Sequence, residues 1–72
     1  MGQKELDNWF SYHPPKEGQA ECYEEIRAAG KAFAQKLLEL TPPCADQSAS
    51  IQKIRAAVFL ANAAIACSEY YA

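Results

Sequence analysis

Five consecutive residues near the N-terminus combine side chains that suit a planar, negatively charged ligand. An aromatic ring stacks on a nucleobase, a neighbouring histidine donates a hydrogen bond, and a lysine attracts phosphate. The two prolines among them fix φ and lack N–H donors, so the stretch cannot continue a helix. The residues are Tyr12, His13, Pro14, Pro15 and Lys16. Two interpretations are open: the stretch lines a binding site, or it wedges the N-terminal segment onto the helices.

Two further cations are spaced for joint action on one ligand. Arg27 and Lys31 are four residues apart, so on a helix they project from one face and can meet a phosphate together. The N-terminus of the same helix, close to residues 15–18, adds unpaired backbone donors that favour an anion. The alternative is a solvated face on which these cations pair with Glu17 and Glu24.

Asn62 is the one polar residue within the run 56–67. A buried amide must be hydrogen-bonded, because leaving it unpaired costs about 1–3 kcal/mol. Asn62 therefore either fixes the register between helices, as a lone buried polar residue can, or contacts a ligand at a subunit boundary.

The residue types needed for catalysis or metal binding are scarce. The chain has one histidine and three widely spaced cysteines, Cys22, Cys44 and Cys67, without a C-x-x-C pair. It has no Ser-His-Asp pattern, H-E-x-x-H motif, phosphate-binding loop or G-x-G-x-x-G sequence. We expect a protein that is not an enzyme and has no cofactor, metal site or disulfide framework. Reduced cysteines and an N-terminus without an apolar stretch indicate a cytosolic protein without a signal peptide.

The hydrophobic pattern predicts one all-α domain over residues 1–72. Three helices are expected, approximately over residues 4–10, 17–40 and 45–70. The connection at Pro42-Pro43 is short enough to make the last two helices an antiparallel hairpin. Trp9 and Phe10 are expected to pack the short first helix onto this hairpin.

Each long helix carries an apolar stripe with spacings of three and four residues. Gly30, in the middle of the second helix, indicates a kink or a close helix contact. The stripes comprise Tyr23, Ile26, Gly30, Phe33, Leu37 and Leu40 in the second helix, and Ile51, Ile54, Val58, Ala61 and Ile65 in the third.

The composition indicates self-association. Half of the 72 residues are hydrophobic, whereas a domain this small buries only about 60% of the surface its unfolded chain exposes. The third helix is apolar all round over residues 56–67, and a hairpin cannot cover every side of it. That run is too short to span a bilayer, which needs about 20 residues. We expect a homo-oligomer without membrane contact, and the net charge of −2 argues against a DNA or RNA polymer as partner.

Three segments are distinctive in combination. They are Phe10-x-Tyr12-His13-x-Pro15-Lys16-x-Gly18-Gln19 followed by Tyr23-x-x-Ile26-Arg27, then Pro42-Pro43 with Asp46, then Ala57-Val58-x-x-Ala61-Asn62-Ala63-Ala64-Ile65-Ala66. In this order and spacing they resemble the small phage proteins that sequester cyclic nucleotide signals, the anti-CBASS sponges and the related anti-Thoeris sponge domain. The resemblance covers about residues 10–67.

The resemblance implies a helical hairpin that assembles into dimers and then hexamers in the host cytoplasm. Such proteins hold cyclic dinucleotides such as 3′,3′-cGAMP, and in some members cyclic trinucleotides, without cleaving them, so that CBASS effectors stay inactive. By position, Tyr12 matches the aromatic residue that stacks on a base, and Arg27 matches the basic residue near the phosphates. Residues 13–16 would form the pocket wall, and Asn62 matches an asparagine that serves ligand or interface.

Two departures from the family pattern bear on function. Cys44 stands where serine is frequent, which weakens a helix cap, and Cys67 stands where the family has a basic residue. The second change removes a positive charge expected at a separate, trinucleotide-type site. The alternative function is a helical protein-interaction module or inhibitor that binds a host protein and no nucleotide.

Overall fold

Three α-helices make up the part of the chain that the computed structural model describes, residues 1–68. α1 spans Gln3–Trp9, α2 spans Gln19–Leu40 and α3 spans Ala45–Ala66. α2 and α3 pack along each other as a hairpin, and the end of α1 lies against the end of α3. The predicted all-α fold, with a short helix and a two-helix hairpin, is confirmed.

Side-chain hydrogen bonds tie the hairpin at both ends. At one end, Gln19 Nε2 at the start of α2 donates to the carbonyl oxygen of Ile65 near the end of α3, at 3.2 Å. At the other, Gln47 Nε2 donates to the carbonyl oxygen and Oγ1 of Thr41, at 3.1 and 3.0 Å. Because the start of one helix is bonded to the end of the other, α2 and α3 are antiparallel.

Gly30 marks a close contact between the two long helices, one of the two roles expected for it. A Cβ atom at this position would lie 2.6 Å from Val58 Cγ2 and 3.6 Å from Ile54 Cγ2. The first distance is far inside van der Waals contact, so any larger residue would force the helices apart.

The helix boundaries differ from the prediction at two places. α2 begins at Gln19 rather than at 17, because Gly18 adopts a left-handed conformation with φ of 84° that α-helix cannot accommodate. The preceding turn is closed by the Gln19 N–H, which donates to the Lys16 carbonyl at 3.0 Å. α3 ends at Ala66 with Cys67 as its C-cap, and the part of the predicted helix beyond residue 68 lies outside the described residues.

Very little of the chain is buried. Within residues 1–68, Cys67 is the only buried hydrophobic residue, at 6% exposure. All five residues of the predicted α3 stripe are partly buried. In the α2 stripe, Phe33 and Leu40 are 58% and 76% exposed. The packing predicted for Phe10 is wrong, since Phe10 is 82% exposed, and Trp9 is half exposed. The physical reason is that a two-helix layer covers only one side of each helix.

The surface area is large for the mass. The chain of 8.0 kDa exposes 5748 Å² and extends over 44 × 28 × 17 Å. A compact monomer of this mass is expected to expose about 4,450 Å². Self-association would bury part of this excess surface. The homo-oligomer stays a prediction, and the surface area supports it. No helix within residues 1–68 is both long enough and apolar enough to cross a membrane.

Candidate functional site

One groove on the hairpin brings together three of the predicted site residues, Arg27, Lys31 and Asn62. It has a volume of about 390 Å³ and runs between α2 and α3 over a floor that includes Gly30, Ile54 and Val58. We call it the basic groove. Its polar and aromatic lining residues are Arg27, Lys31, Arg55, Phe59 and Asn62.

The basic groove is positively charged and contains no acid. Arg27 and Lys31 line it from α2, as their four-residue spacing predicts, and Arg55 lines it from α3. No Asp or Glu belongs to the lining, and within residues 1–68 none of the three cations forms an ion pair. Within residues 1–68 these cations do not pair with Glu17 or Glu24, and their side chains are exposed, so a solvated face and a site for an anionic ligand both fit them.

Asn62 contributes an unsatisfied amide to the same groove. Its Oδ1 atom is buried and has no hydrogen-bond partner in the described residues. No hydrogen bond joins this amide to α2 within residues 1–68, so Asn62 does not fix the register of this hairpin. Register against a helix of a neighbouring protomer and contact with a ligand both stay predictions, and either needs the buried Oδ1 to become accessible.

The residues of the N-terminal loop lie apart from the basic groove. Tyr12 is 84% exposed, and Pro14, Pro15 and Lys16 are exposed as well. None of residues 12–16 belongs to the lining of the basic groove. The exposed Tyr12 ring does not wedge the N-terminal segment onto the helices, and its role in a binding site stays a prediction. Arg27, Lys31 and Asn62 are thus brought together, whereas the loop is not joined to them within one chain.

His13 holds the loop to the rest of the chain. It is partly buried, and its Nε2 atom lies 2.6 Å from the carbonyl oxygen of Asn8, close to the end of α1. A carbonyl only accepts, so Nε2 carries the proton and donates it. The remaining ring nitrogen, Nδ1, is the atom through which His13 can still contact a ligand.

The one Cys–His pair in the described residues is not arranged as a nucleophile. Cys67 Sγ lies 3.8 Å from His13 Nε2 and 4.0 Å from the Asn8 carbonyl oxygen. Because Nε2 already carries a proton for Asn8, it cannot take the thiol proton as a general base. No group of three or more His, Cys, Asp or Glu residues in residues 1–68 is placed to hold a metal ion.

The N-terminus of α2 is partly occupied by its own chain. The N–H of Gln19, the first residue of α2, donates to the Lys16 carbonyl at 3.0 Å. In the preceding loop, the Lys16 N–H donates to Gln19 Oε1 at 2.8 Å. Glu21 adds a negative charge in the first turn. An anion is therefore better served by the basic groove than by this helix end.

Arg55 and Phe59 were missed by the sequence analysis. Arg55 Cζ lies 5.2 Å from the centroid of the Phe59 ring, a cation–π contact at the wall of the groove. Their own four-residue spacing was a signal that they share a face of α3. Only the register of α3 against α2 shows that this face meets the one carrying Arg27.

A second groove lies on the opposite side of the hairpin. It has a volume of about 790 Å³, is mostly apolar, and shares the floor of Gly30, Ile54 and Val58 with the basic groove. We call it the apolar groove. Its other large residues are Ile26, Phe33 and Leu37.

The comparison with protein families agrees with the resemblance carried by the three sequence segments. The family model of the Acb2/Tad1 hairpin domain matches residues 2–66, a span that includes all three helices. The family resemblance is thereby confirmed. Neither a curated protein nor a solved structure matches the chain.

Proposed function

The chain belongs to the Acb2/Tad1 hairpin-domain family, and on this basis we propose that it binds and sequesters cyclic oligonucleotide second messengers without cleaving them. In this role it is a phage protein that acts in the host cytoplasm and keeps the messenger from CBASS effectors. The observation that carries the proposal is the basic groove, in which Arg27, Lys31 and Asn62 converge without an acidic neighbour.

Cyclic dinucleotides fit the electrostatics of the groove. Such a ligand carries two phosphate charges, and bonds between phosphate and Arg or Lys are strengthened by charge. The chain has a net charge of −2, so a long polyanion would be repelled by most of the surface while a small anion meets only the local cations. The trinucleotide-type site has weaker support, because Cys67 is a buried, uncharged thiol.

The stacking and phosphate contacts supply part of the binding free energy that a sponge needs. Sequestration requires nanomolar dissociation constants, equivalent to about −12 kcal/mol. Base stacking on an aromatic ring contributes about 1–3 kcal/mol per base, and a hydrogen bond to a charged group about 1.5–3 kcal/mol. Two bases and two phosphates therefore sum to about 5–12 kcal/mol before the cost of association is subtracted, so a shared site must add further contacts to reach nanomolar binding.

In a homo-oligomer, a neighbouring protomer completes the ligand site that one chain forms only in part. Tyr12 stands outside the basic groove of its own chain, so we assign it to a ligand shared with a neighbouring protomer. The groove of about 390 Å³ is at the lower end of the 300–1,000 Å³ typical of ligand pockets, which also favours a shared site. We propose a dimer-based assembly, and a hexamer on the strength of family membership.

The test is retention followed by release of the intact ligand. Purified protein is mixed with 3′,3′-cGAMP, separated from free ligand by gel filtration and denatured by heat, and the released nucleotide is identified by mass. We expect intact cyclic dinucleotide. Linear products would identify an enzyme, and the absence of any retained nucleotide would overturn the proposal.

A double variant tests the residues. Tyr12→Ala with Arg27→Ala removes one exposed ring and one groove cation, and we expect retention to be lost while the oligomer remains. The matched control is Phe10→Ala with Lys36→Ala, which removes an exposed ring and an α2 cation outside the basic groove. Equal retention by the two double variants would refute the site assignment.

The second candidate function, a protein-interaction module without a nucleotide ligand, is favoured by the apolar groove. That surface accepts a partner helix as well as a second copy of the chain. The two candidates differ in one result: the interaction module retains no nucleotide under any condition.

A further inference from the structure

Arg55 and Phe59 present a preformed surface in the basic groove. They lie one helical turn apart on α3, with Arg55 Cζ 5.2 Å from the Phe59 ring centroid. A guanidinium stacked on a ring keeps its planar fork of N–H donors in a restricted orientation. The Phe59 side chain is nevertheless 57% exposed, so most of the ring is open to a further partner.

The charge distribution indicates what that partner is. The chain has seven Lys and Arg against nine Asp and Glu, yet three of the seven cations line this one groove with no acid among them. Three like charges on facing helices repel each other in the absence of a counter-charge. A phosphate-bearing ligand offsets that repulsion, whereas an apolar helix or a second copy of this basic surface does not.

We propose that Arg55 binds a phosphate of the ligand and that Phe59 stacks on the attached base. This inference rests on the proposed function and deepens it by assigning the α3 wall of the nucleotide site. The base lies on the open part of the Phe59 ring, next to the guanidinium, and the phosphate lies between Arg55 and the α2 cations. Arg27 and Lys31 thus approach the phosphate from α2 while Arg55 approaches it from α3.

The assignment also divides the ligand between two protomers. The basic groove, at about 390 Å³, suits one nucleotide unit with Phe59 as its stacking surface. Tyr12, which does not line the groove, stacks on the second base from a neighbouring chain. Each base of a cyclic dinucleotide therefore meets one aromatic ring, and one phosphate meets the three cations of the basic groove.

Substitutions on α3 test the proposal by titration calorimetry with 3′,3′-cGAMP. Arg55→Gln removes a charge-assisted phosphate contact, and we expect binding to weaken about 10–100-fold and to become less sensitive to salt. Phe59→Leu keeps an apolar side chain but removes the ring, and we expect about tenfold weaker binding. Phe59→Tyr keeps the ring and should recover most of the affinity that Phe59→Leu loses.

Lys36→Gln is the matched control, because it removes a cation from outside both grooves. It should leave affinity and salt dependence unchanged. If the wild type binds and Arg27→Ala does not, but Arg55→Gln and Phe59→Leu bind normally, the α3 assignment is wrong and the sponge function stands. If the wild type itself does not bind, the proposed function fails first.

A fluorescence measurement covers the case in which a variant folds poorly. Phe59→Trp places a larger ring at a position that is already exposed, and stacking of a base on it should quench its emission when 3′,3′-cGAMP is added. The wild type, whose one tryptophan is Trp9, gives the reference signal. Quenching no greater than that of the wild type would overturn the assignment of Phe59.

Discussion

Gln19 connects three segments of the chain through one side-chain amide. Its Oε1 accepts the Lys16 N–H at 2.8 Å, and its Nε2 donates to the Ile65 carbonyl at 3.2 Å. The N-terminal loop, the start of α2 and the end of α3 are therefore held by the same group. Because the loop carries Tyr12, this residue controls where the proposed stacking ring stands relative to the hairpin.

Gln19→Ala should destabilise the protein by about 1–2 kcal/mol, since two hydrogen bonds are lost and one partner is partly buried. The measurement is chemical denaturation at a fixed protein concentration. Gln35→Ala is the matched control, because Gln35 lies on the same helix and makes only an exposed bond to Glu39. The prediction is contradicted if both variants lose the same stability.

Sequence spacing was sufficient to predict which residues share a face of one helix. It could not predict which residues of different helices lie close together. Arg27 and Lys31 were expected on one face because four residues make about one turn, and both line the basic groove. Arg55 was missed because its proximity to Arg27 depends on the register between α2 and α3. The hydrogen bond from His13 Nε2 to the Asn8 carbonyl was not predictable either, because it depends on the path of the loop. The prolines restrict that path but do not determine it.

The two long helices owe their close approach to the missing side chain at Gly30. In an isolated helix, replacing glycine by alanine stabilises the helix by about 1 kcal/mol. Here the new Cβ would lie 2.6 Å from Val58 Cγ2, and valine has one strongly preferred rotamer in a helix, so the methyl group cannot turn away.

Gly30→Ala should therefore destabilise the protein by about 1–2 kcal/mol, because overpacking outweighs the gain in helix propensity. Chemical denaturation of single and double variants measures it: the cost should shrink when Val58→Ala is present as well. Gly2→Ala is the control, since a Cβ there meets nothing within 4 Å. A net gain in stability from Gly30→Ala would contradict the close contact.

Apolar periodicity predicted the number and order of the helices correctly, but it placed their first residues less accurately. Pro42-Pro43 placed the end of α2 correctly at Leu40. The start of α2 was placed two residues early, because Glu17 and Gly18 are compatible with a helix in composition while Gly18 takes a left-handed conformation. Cys44 is the N-cap of α3 without a side-chain hydrogen bond, as expected where cysteine stands in place of serine.

The accessible surface of the chain is larger than that expected for a compact monomer of the same mass. Its 5748 Å² exceeds the compact expectation by roughly 1,300 Å², and a standard interface buries about 800 Å² per partner. The apolar groove, which has a volume of about 790 Å³ and Phe33 in its lining, is a candidate for such an interface. The amount of apolar surface was predictable from composition, but the side of the hairpin that carries it was not.

Phe33→Glu should lower the mass of the assembly, because it removes an apolar ring and places a carboxylate in the mostly apolar groove, where its burial is costly even with Lys53 in the lining. Sedimentation velocity measures the change in mass. Gln35→Glu, which adds the same charge at an exposed position of α2, should leave the assembly intact. An unchanged mass for Phe33→Glu would show that the apolar groove is not the contact between protomers.

Native mass spectrometry with and without 3′,3′-cGAMP is the most direct test of the central claim, that an assembly of this chain holds cyclic dinucleotides intact. We predict a homo-oligomer whose mass increases on ligand addition by whole multiples of the intact ligand mass. A species without bound nucleotide at saturating ligand, or an adduct heavier by one water for each ligand, would contradict it.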